Sequence, residues 1–426
     1  MSLRRELGLL HATMMGLGST ICAGIFVILS PAVEIAGPAV ILSFFLCGII
    51  NMATMLSYCE LGAAMPKMGG EYAYVKEAFK GRPSFLTGWY EWSSNIFYAT
   101  LMVLGSAYIL SYLIPINRFL ITIILVIVFT VVDMKGIKEA GIAQTLLTSM
   151  LLAIIFLFIG AGLIHGFRSN AFEPFMPKGP FGMIAAVAFI FEVYVGVEAI
   201  AAAQAEIKKP EKTIPTAMIL CSIVLIIVYC LVAYVTIGIV SIDVLGKSLA
   251  PLNLVAEKTL GGIGVILLTV AGLIAALTSL NSAIIASSRV ACAMGRNGHF
   301  PKFLSKVHEQ YKTPYVSIVC GSILIILFSI VNDLEFVVYS INFGFLIGFF
   351  LVNLSLIKLR RSKPHLHRPF KTPLYPITPI IGIITSIGLL AFFDVKSLAF
   401  GIIWGLFGLI IYFVNKNAKN IRWNVR

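Results

Sequence analysis

Charge is scarce in this chain. Asp, Glu, Lys and Arg together make up 12% of its 426 residues, against about 25% in a typical soluble domain. That shortage excludes an ordinary water-facing surface over most of the length. Cysteine is sparse as well: Cys22, Cys47, Cys59, Cys221, Cys230, Cys292 and Cys320 form no C-x-x-C and do not cluster with histidine, so neither a zinc site nor a disulfide framework is indicated. They lie in or at the ends of apolar runs and read as small buried hydrophobes. The common catalytic signatures are missing too. There is no H-E-x-x-H, P-loop or G-x-S-x-G, and His165, His299, His308, His365 and His367 fall in loops or at the ends of apolar runs. No enzyme activity and no cofactor are expected. No cleavable leader with an A-x-A site is evident, so the first apolar run is expected to stay in the mature protein.

What is present is hydrophobic residue, at 59%, with a mean hydropathy of +0.97. Runs of about 20 apolar residues, the length that crosses a bilayer, recur along the whole chain. Twelve are predicted, at 9–30, 38–58, 84–113, 118–133, 140–165, 181–203, 214–240, 261–288, 315–332, 335–357, 375–393 and 396–415. No linker or soluble domain fits between them. The segment 59–83 is read as a short interfacial helix or a solvated loop. The net charge of +13 suggests nucleic-acid binding until its placement is examined. All but six of the 32 Lys and Arg fall on one side of the predicted membrane, the exceptions being Arg118, Arg168, Lys178, Lys247, Lys258 and Lys396. This positive-inside bias predicts a multi-pass cell-membrane protein with both termini cytoplasmic.

Two of the runs interrupt themselves, the first across Gly18–Gly24 and the sixth across Phe191–Glu198. Irregular backbone at membrane depth is tolerated only where protein or a water-filled cavity satisfies it. A matched pair of interrupted spans points to a central substrate site in a secondary transporter. Their spacing implies repeats of five spans, and an odd number inverts the second unit. The prediction is one transmembrane permease domain over 1–426, with repeat one at about 9–165, repeat two at about 181–357, and helices 11 and 12 at about 375–415.

The first break suits a zwitterion. Gly18 and Gly24 are expected to permit the unwinding. The N–H groups of Ala23, Gly24 and Ile25 open a new half-helix whose positive end suits a carboxylate. The carbonyls near Thr20 and Ile21, with those from Glu192 to Tyr194, suit an ammonium group. The plain alternative is a glycine-lined packing seam between helices.

Four stretches resemble the amino acid–polyamine–organocation permeases. They are Gly18-Ser19-Thr20-Ile21-Cys22-Ala23-Gly24-Ile25-Phe26; the run from Glu60-Leu61-Gly62 through Pro66 to Gly69-Gly70-Glu71-Tyr72-Ala73-Tyr74; Tyr194-Val195-Gly196-Val197-Glu198 followed by Glu206 and Pro210; and Ser288-Arg289 through Gly298-His299-Phe300-Pro301 to Thr313-Pro314. The resemblance spans essentially the whole chain. It implies an all-α integral membrane fold of twelve transmembrane helices. That fold is a LeuT-like 5+5 inverted repeat with helices 1 and 6 broken and two helices added. It also implies an amino acid or related amine as substrate, bound at these same breaks.

Three departures stand out. Cys22 occupies a position where the family usually has glycine. Glu192 lies two residues before Tyr194, where many relatives carry an aromatic gate; a carboxylate at that depth suits a substrate with a second positive charge, the plain alternative being a protonated or hydrogen-bonded helix acid. Leu151 replaces a lysine that many relatives place in span 5. Without that lysine, three couplings stay open: protons at Glu198, sodium at Thr278, Ser279 and Ser282, or exchange. Hydroxyls at helical spacing are more often interhelical glue. Glu91 is placed at the membrane interface and Asp133 in a solvated pair with Lys135 and Lys138. The aromatic clusters Trp89-Tyr90-Trp92 and Phe343-Phe345-Phe349-Phe350 are assigned mostly to lipid or interface contact, with room for one or two on the pathway. The function expected is an amino acid permease working by alternating access, as symporter or antiporter. The alternatives are a polyamine or other amine transporter and, more distantly, a sensor on a transporter fold.

Overall fold

The computed structural model describes residues 7–65, 70–79, 81–113, 116–135, 140–202, 207–248, 250–311, 313–331 and 333–423. The expected motif residues Pro66–Gly69 and Glu206, and Lys138 of the expected ion pair, lie outside them. Within the described residues the chain is helical. The elements are α1 (Leu9–Thr20), α2 (Ala23–Val27), α3 (Leu29–Ala36), α4 (Val40–Ala64), α5 (Gly70–Ala78), α6 (Gly81–Leu113), α7 (Arg118–Lys135), α8 (Ala140–His165) and α9 (Gly179–Phe189). There follow α10 (Ala199–Ala202), α11 (Pro210–Ile239), α12 (Ile242–Gly246), α13 (Pro251–Arg296), α14 (Tyr315–Val331), α15 (Leu334–Ser362), α16 (Ile377–Leu390) and α17 (Val395–Trp423).

Nine helical stretches among the described residues are long and apolar enough to cross a membrane, and α14 and α16 are shorter apolar helices. Local chemistry sets several ends. Proline at the first turn opens α11 and α13, where its missing N–H leaves no extra orphan. The Asp333 carboxylate caps α15 by accepting from the Phe336 N–H at 3.0 Å. One boundary differs from the sequence reading. Residues 251–260, expected in a connection, are helical, and the break falls at Gly261, whose φ of 66° admits glycine readily.

α6 runs between α13 and α15, while α4 lies along α11 and α1 sits against α8 and α11. The outward faces stay apolar: Ile124, Ile127, Val128 and Val131 on α7, Ile223 and Ile227 on α11, and Ile402, Ile403, Leu406 and Ile410 on α17 are all exposed. Apolar faces of this extent are surfaces for hydrocarbon. The interior carries polar glue. Ser57 donates to the Asn353 Oδ1 at 2.7 Å, and the Asn353 amide donates to Thr54 at 3.0 Å, tying α4 to α15.

Burial corrects three expectations. Trp89, Tyr90, Phe343, Phe345 and Phe349 are buried, so both aromatic clusters belong mainly to the protein core. They pack against other rings, such as Trp89 with Trp404 and Tyr90 with Phe343, which an apolar count cannot distinguish from lipid contact. Asp133 is likewise buried, at 6% exposure, with Oδ2 lacking a partner. The segment between α4 and α6 contains a helix, α5, but its Glu71, Tyr72, Tyr74 and Val75 are buried against α6 and α15 rather than laid on a surface.

Candidate substrate site at the two helix breaks

α1 stops at Thr20 because Ile21 (ψ 93°) and Cys22 (ψ −179°) turn extended, and α2 begins at Ala23. The break is short and caps itself: the Cys22 thiol accepts from the Gly24 N–H at 3.2 Å. Gly18 and Gly24, expected to unwind, both lie inside helices. Their smallness serves close approach instead. A Cβ on Gly18 would stand 2.1 Å from the Thr148 hydroxyl on α8, and one on Gly24 would stand 2.5 Å from Glu192 Oε1.

The second break is longer. α9 ends at Phe189, a 3-10 turn covers Ile190–Tyr194, Val195 is extended, and Gly196 takes φ 131° before α10 resumes at Ala199. Here glycine is required twice over. Its φ suits no L side chain, and a Cβ would lie 2.7 Å from the backbone carbon and oxygen of Ser19 and from Thr20 Oγ1. The two breaks therefore meet at Gly196.

Interrupted helices leave carbonyls without partners, and three side chains supply donors. The Tyr98 hydroxyl donates to Ser19 O at 3.1 Å. The Tyr229 hydroxyl faces both Val193 O at 2.9 Å and Thr20 O at 3.1 Å, bridging the breaks. The Asn342 amide donates to Ala188 O and Phe189 O, each at 2.9 Å. Sequence reasoning missed all three. Their only signal is a polar group inside an apolar helix, which says that a partner exists but not which one. Tyr229→Phe is expected to destabilise the protein by ~1–3 kcal/mol, the cost of leaving buried acceptors short of a donor. A fall in apparent Tm together with slower uptake in proteoliposomes checks it. An unchanged Tm would show that the bridge holds nothing.

The remaining expected site residues are placed as follows. Thr20 is buried and donates back to Gly16 O at 2.7 Å, and Ile21 and Ile25 are buried in the core. Tyr194 is buried and donates to Phe44 O at 2.7 Å, which pins the aromatic ring to α4. Glu192 is fully buried, and neither carboxylate oxygen has a partner. An ionised, unpaired carboxylate there would cost several kcal/mol, which either a proton or a bound cation removes. Both Glu198 oxygens accept from the Gly196 N–H at 2.9 Å, so this acid is anchored to its own break. On α13, Thr278 donates to Ile274 O at 2.8 Å and Ser282 to Thr278 O at 3.0 Å, while Ser279 is buried without a partner.

A cavity of about 110 Å³ opens beside the meeting point, where Ser19, Tyr98, Gly196 and Glu198 line it. Glu91 is on its wall too, rather than at a lipid interface, and Glu71 joins it from α5. Among the described residues no His, Cys, Asp and Glu converge closely enough to hold a metal ion.

The chain is similar to known transporters over nearly its whole length. Over 98% of its length the chain is 27% identical to a branched-chain amino acid permease of Bacillus subtilis (strain 168), covering 95% of that protein. It is 28% identical to a methylthioribose transporter of the same organism, over 99% of this chain and 95% of the relative. A serine/threonine exchanger of that organism is also 28% identical, over 98% of each chain. These relatives are transporters, not enzymes, and the family model described as amino acid permease matches residues 7–414. The chain belongs to the amino acid permease family.

Proposed function

We propose that this permease carries amino acids across the cell membrane by alternating access, with both termini cytoplasmic. Its helices form a twelve-span LeuT-like 5+5 inverted repeat, in which the bundle of broken helices rocks against the remaining scaffold. The substrate sits between the breaks. Its α-carboxylate displaces the Cys22 thiol from the Gly24 N–H and faces the N–H groups of Ala23, Gly24 and Ile25, and its α-amino group faces the carbonyls of Thr20, Ile21 and the stretch from Glu192 to Tyr194. Cys22, Tyr194 and Gly196 shape the space around it.

The observation that carries this reading is the meeting of the two breaks at Gly196, with the unpartnered Glu192 carboxylate against Gly24. Glu192 selects substrates that bring a second positive charge. Glu192→Gln is expected to lower the preference for cationic over neutral amino acids at least tenfold while neutral uptake persists. Competition uptake in proteoliposomes measures that ratio. An unchanged ratio removes the charge role, and wild-type protein that transports no amino acid removes the reading itself.

The same unpartnered carboxylate favours a second reading, a polyamine or other organic amine as substrate, which uptake of diamines would reveal. Coupling runs by protons at Glu198, by sodium at Thr278, Ser279 and Ser282, or by exchange. Imposed proton gradients, imposed sodium gradients and preloaded amino acid, applied in turn, separate the three.

A further inference from the structure

The cavity beside the breaks has a wall that the substrate site does not use. Glu71 comes from α5, Glu91 from the early turns of α6, and Glu198 from the second break, and all three line it. Each lies within electrostatic reach of the other two. No Lys, Arg or His stands among the lining residues. Burial, reinforced by the neighbouring Glu91, pushes the Glu71 carboxyl well above the usual carboxylate range, so the group keeps its proton unless a cation stands beside it.

A second observation points to a ligand. The Tyr58 hydroxyl reaches the same cavity from a residue that is 0% exposed; the Glu71 carboxyl stands beside it, but no well-formed hydrogen bond satisfies it. Glu91 Oε2 is likewise buried and unpartnered. A polar group buried in this way is ordinarily satisfied, so its missing partner belongs to whatever fills the space. Asn95 and Ser282 add further polar atoms to the lining. At about 110 Å³ the space far exceeds the ~10–15 Å³ that one water requires. The acids surround a volume and do not converge as metal ligands do. The arrangement suits a cation with several N–H donors and some bulk.

We propose that this cavity binds a primary alkylammonium group, as a second substrate position next to the helix breaks. Glu71, Glu91 and Glu198 supply the charge, and Tyr58 and Asn95 complete the hydrogen bonds. The site rests on reading the protein as a carrier of amine-bearing substrates and extends that reading to a position where the ammonium group is held apart from the α-carboxylate.

The test uses the purified full chain and n-butylammonium, with sodium chloride and n-butanol as matched controls at constant ionic strength, and binding is read by thermal stabilisation. Butylammonium is expected to stabilise the wild type where neither control does. Glu91→Gln should weaken it at least tenfold, whereas Glu192→Gln should change it less than twofold. Ala286→Leu, which fills the cavity without altering charge, should also abolish binding, and it guards against misfolding of the acid variants. Loss in Glu192→Gln with retention in Glu91→Gln would put the amine at the breaks and overturn the proposal. Equal stabilisation by sodium, or none by butylammonium, would overturn it as well. Failure of the transport reading appears separately, as absent amino acid uptake by wild-type protein that still binds butylammonium.

Discussion

Gly196→Ala is expected to reduce amino acid uptake more than 100-fold in protein that still purifies as a folded species. The new methyl group meets backbone. Its Cβ would lie 2.7 Å from the Ser19 carbonyl carbon and oxygen, inside any real contact distance, and those atoms cannot rotate away. The φ of 131° adds strain of ~1–3 kcal/mol for any residue with a Cβ. Relief requires the second break to withdraw from the first. That movement pulls Val193 O and Thr20 O apart across Tyr229 and shifts the Gly196 N–H that anchors Glu198. With the substrate held between the breaks as proposed, the loss falls on binding and transport before it falls on the surrounding helices. Gly160→Ala is the control, since nothing lies within 4 Å of a Cβ there and helix propensity favours alanine. Proteoliposome uptake with size-exclusion profiles decides the matter. Wild-type uptake in Gly196→Ala would show that the breaks need not touch.

The sequence carried the locations of both breaks because each depends on local backbone demands written in a short motif. Gly196 could be read as the glycine of an interrupted span, and Phe189–Ala199 breaks where expected. What it hid is everything set by approach between distant segments. Gly18 and Gly24 look like hinges by composition, yet they are contact points, because the space a Cβ would need is taken by Thr148 and Glu192. Tyr98, Tyr229 and Asn342 sit in apolar runs where their partners, the freed carbonyls, are unknowable before the helices are packed. Glu91 beside Trp89 and Trp92 has the composition of an interfacial residue, and only packing against α5 turns it towards the cavity. The apolar faces were legible as lipid-facing in general, but period alone does not separate a ring stacked on Trp404 from one lying in hydrocarbon.

The same limit applies to Glu60, whose motif is visible but whose partners lie 300 residues away. This carboxylate is 0% exposed and accepts from Arg360 Nε at 2.8 Å and from the Thr372 N–H at 2.7 Å, with Arg368 Nε at 3.2 Å. It therefore joins the end of α4 to the end of α15 and to the segment that follows it. Removing one partner of a buried ion pair typically costs ~3–5 kcal/mol, because the charges left behind are neither paired nor hydrated. Glu60→Ala leaves Arg360, Arg368 Nε and the Thr372 N–H without their shared acceptor, although Arg368 keeps backbone carbonyls and Arg360 is partly exposed, and it is expected to lower stability by about the lower end of that range. By contrast, the exposed Lys363–Glu77 pair is a surface contact whose loss should cost ~0–1 kcal/mol. Denaturation of Glu60→Ala and Glu77→Ala in the same detergent compares them directly. The Arg360→Met and Glu60→Met double variant separates charge from packing: partial recovery relative to Glu60→Ala identifies the unpaired charge as the cause. Equal stability of Glu60→Ala and wild type would mean that the α4–α15 junction is held by its apolar contacts and by the Asn353 network alone.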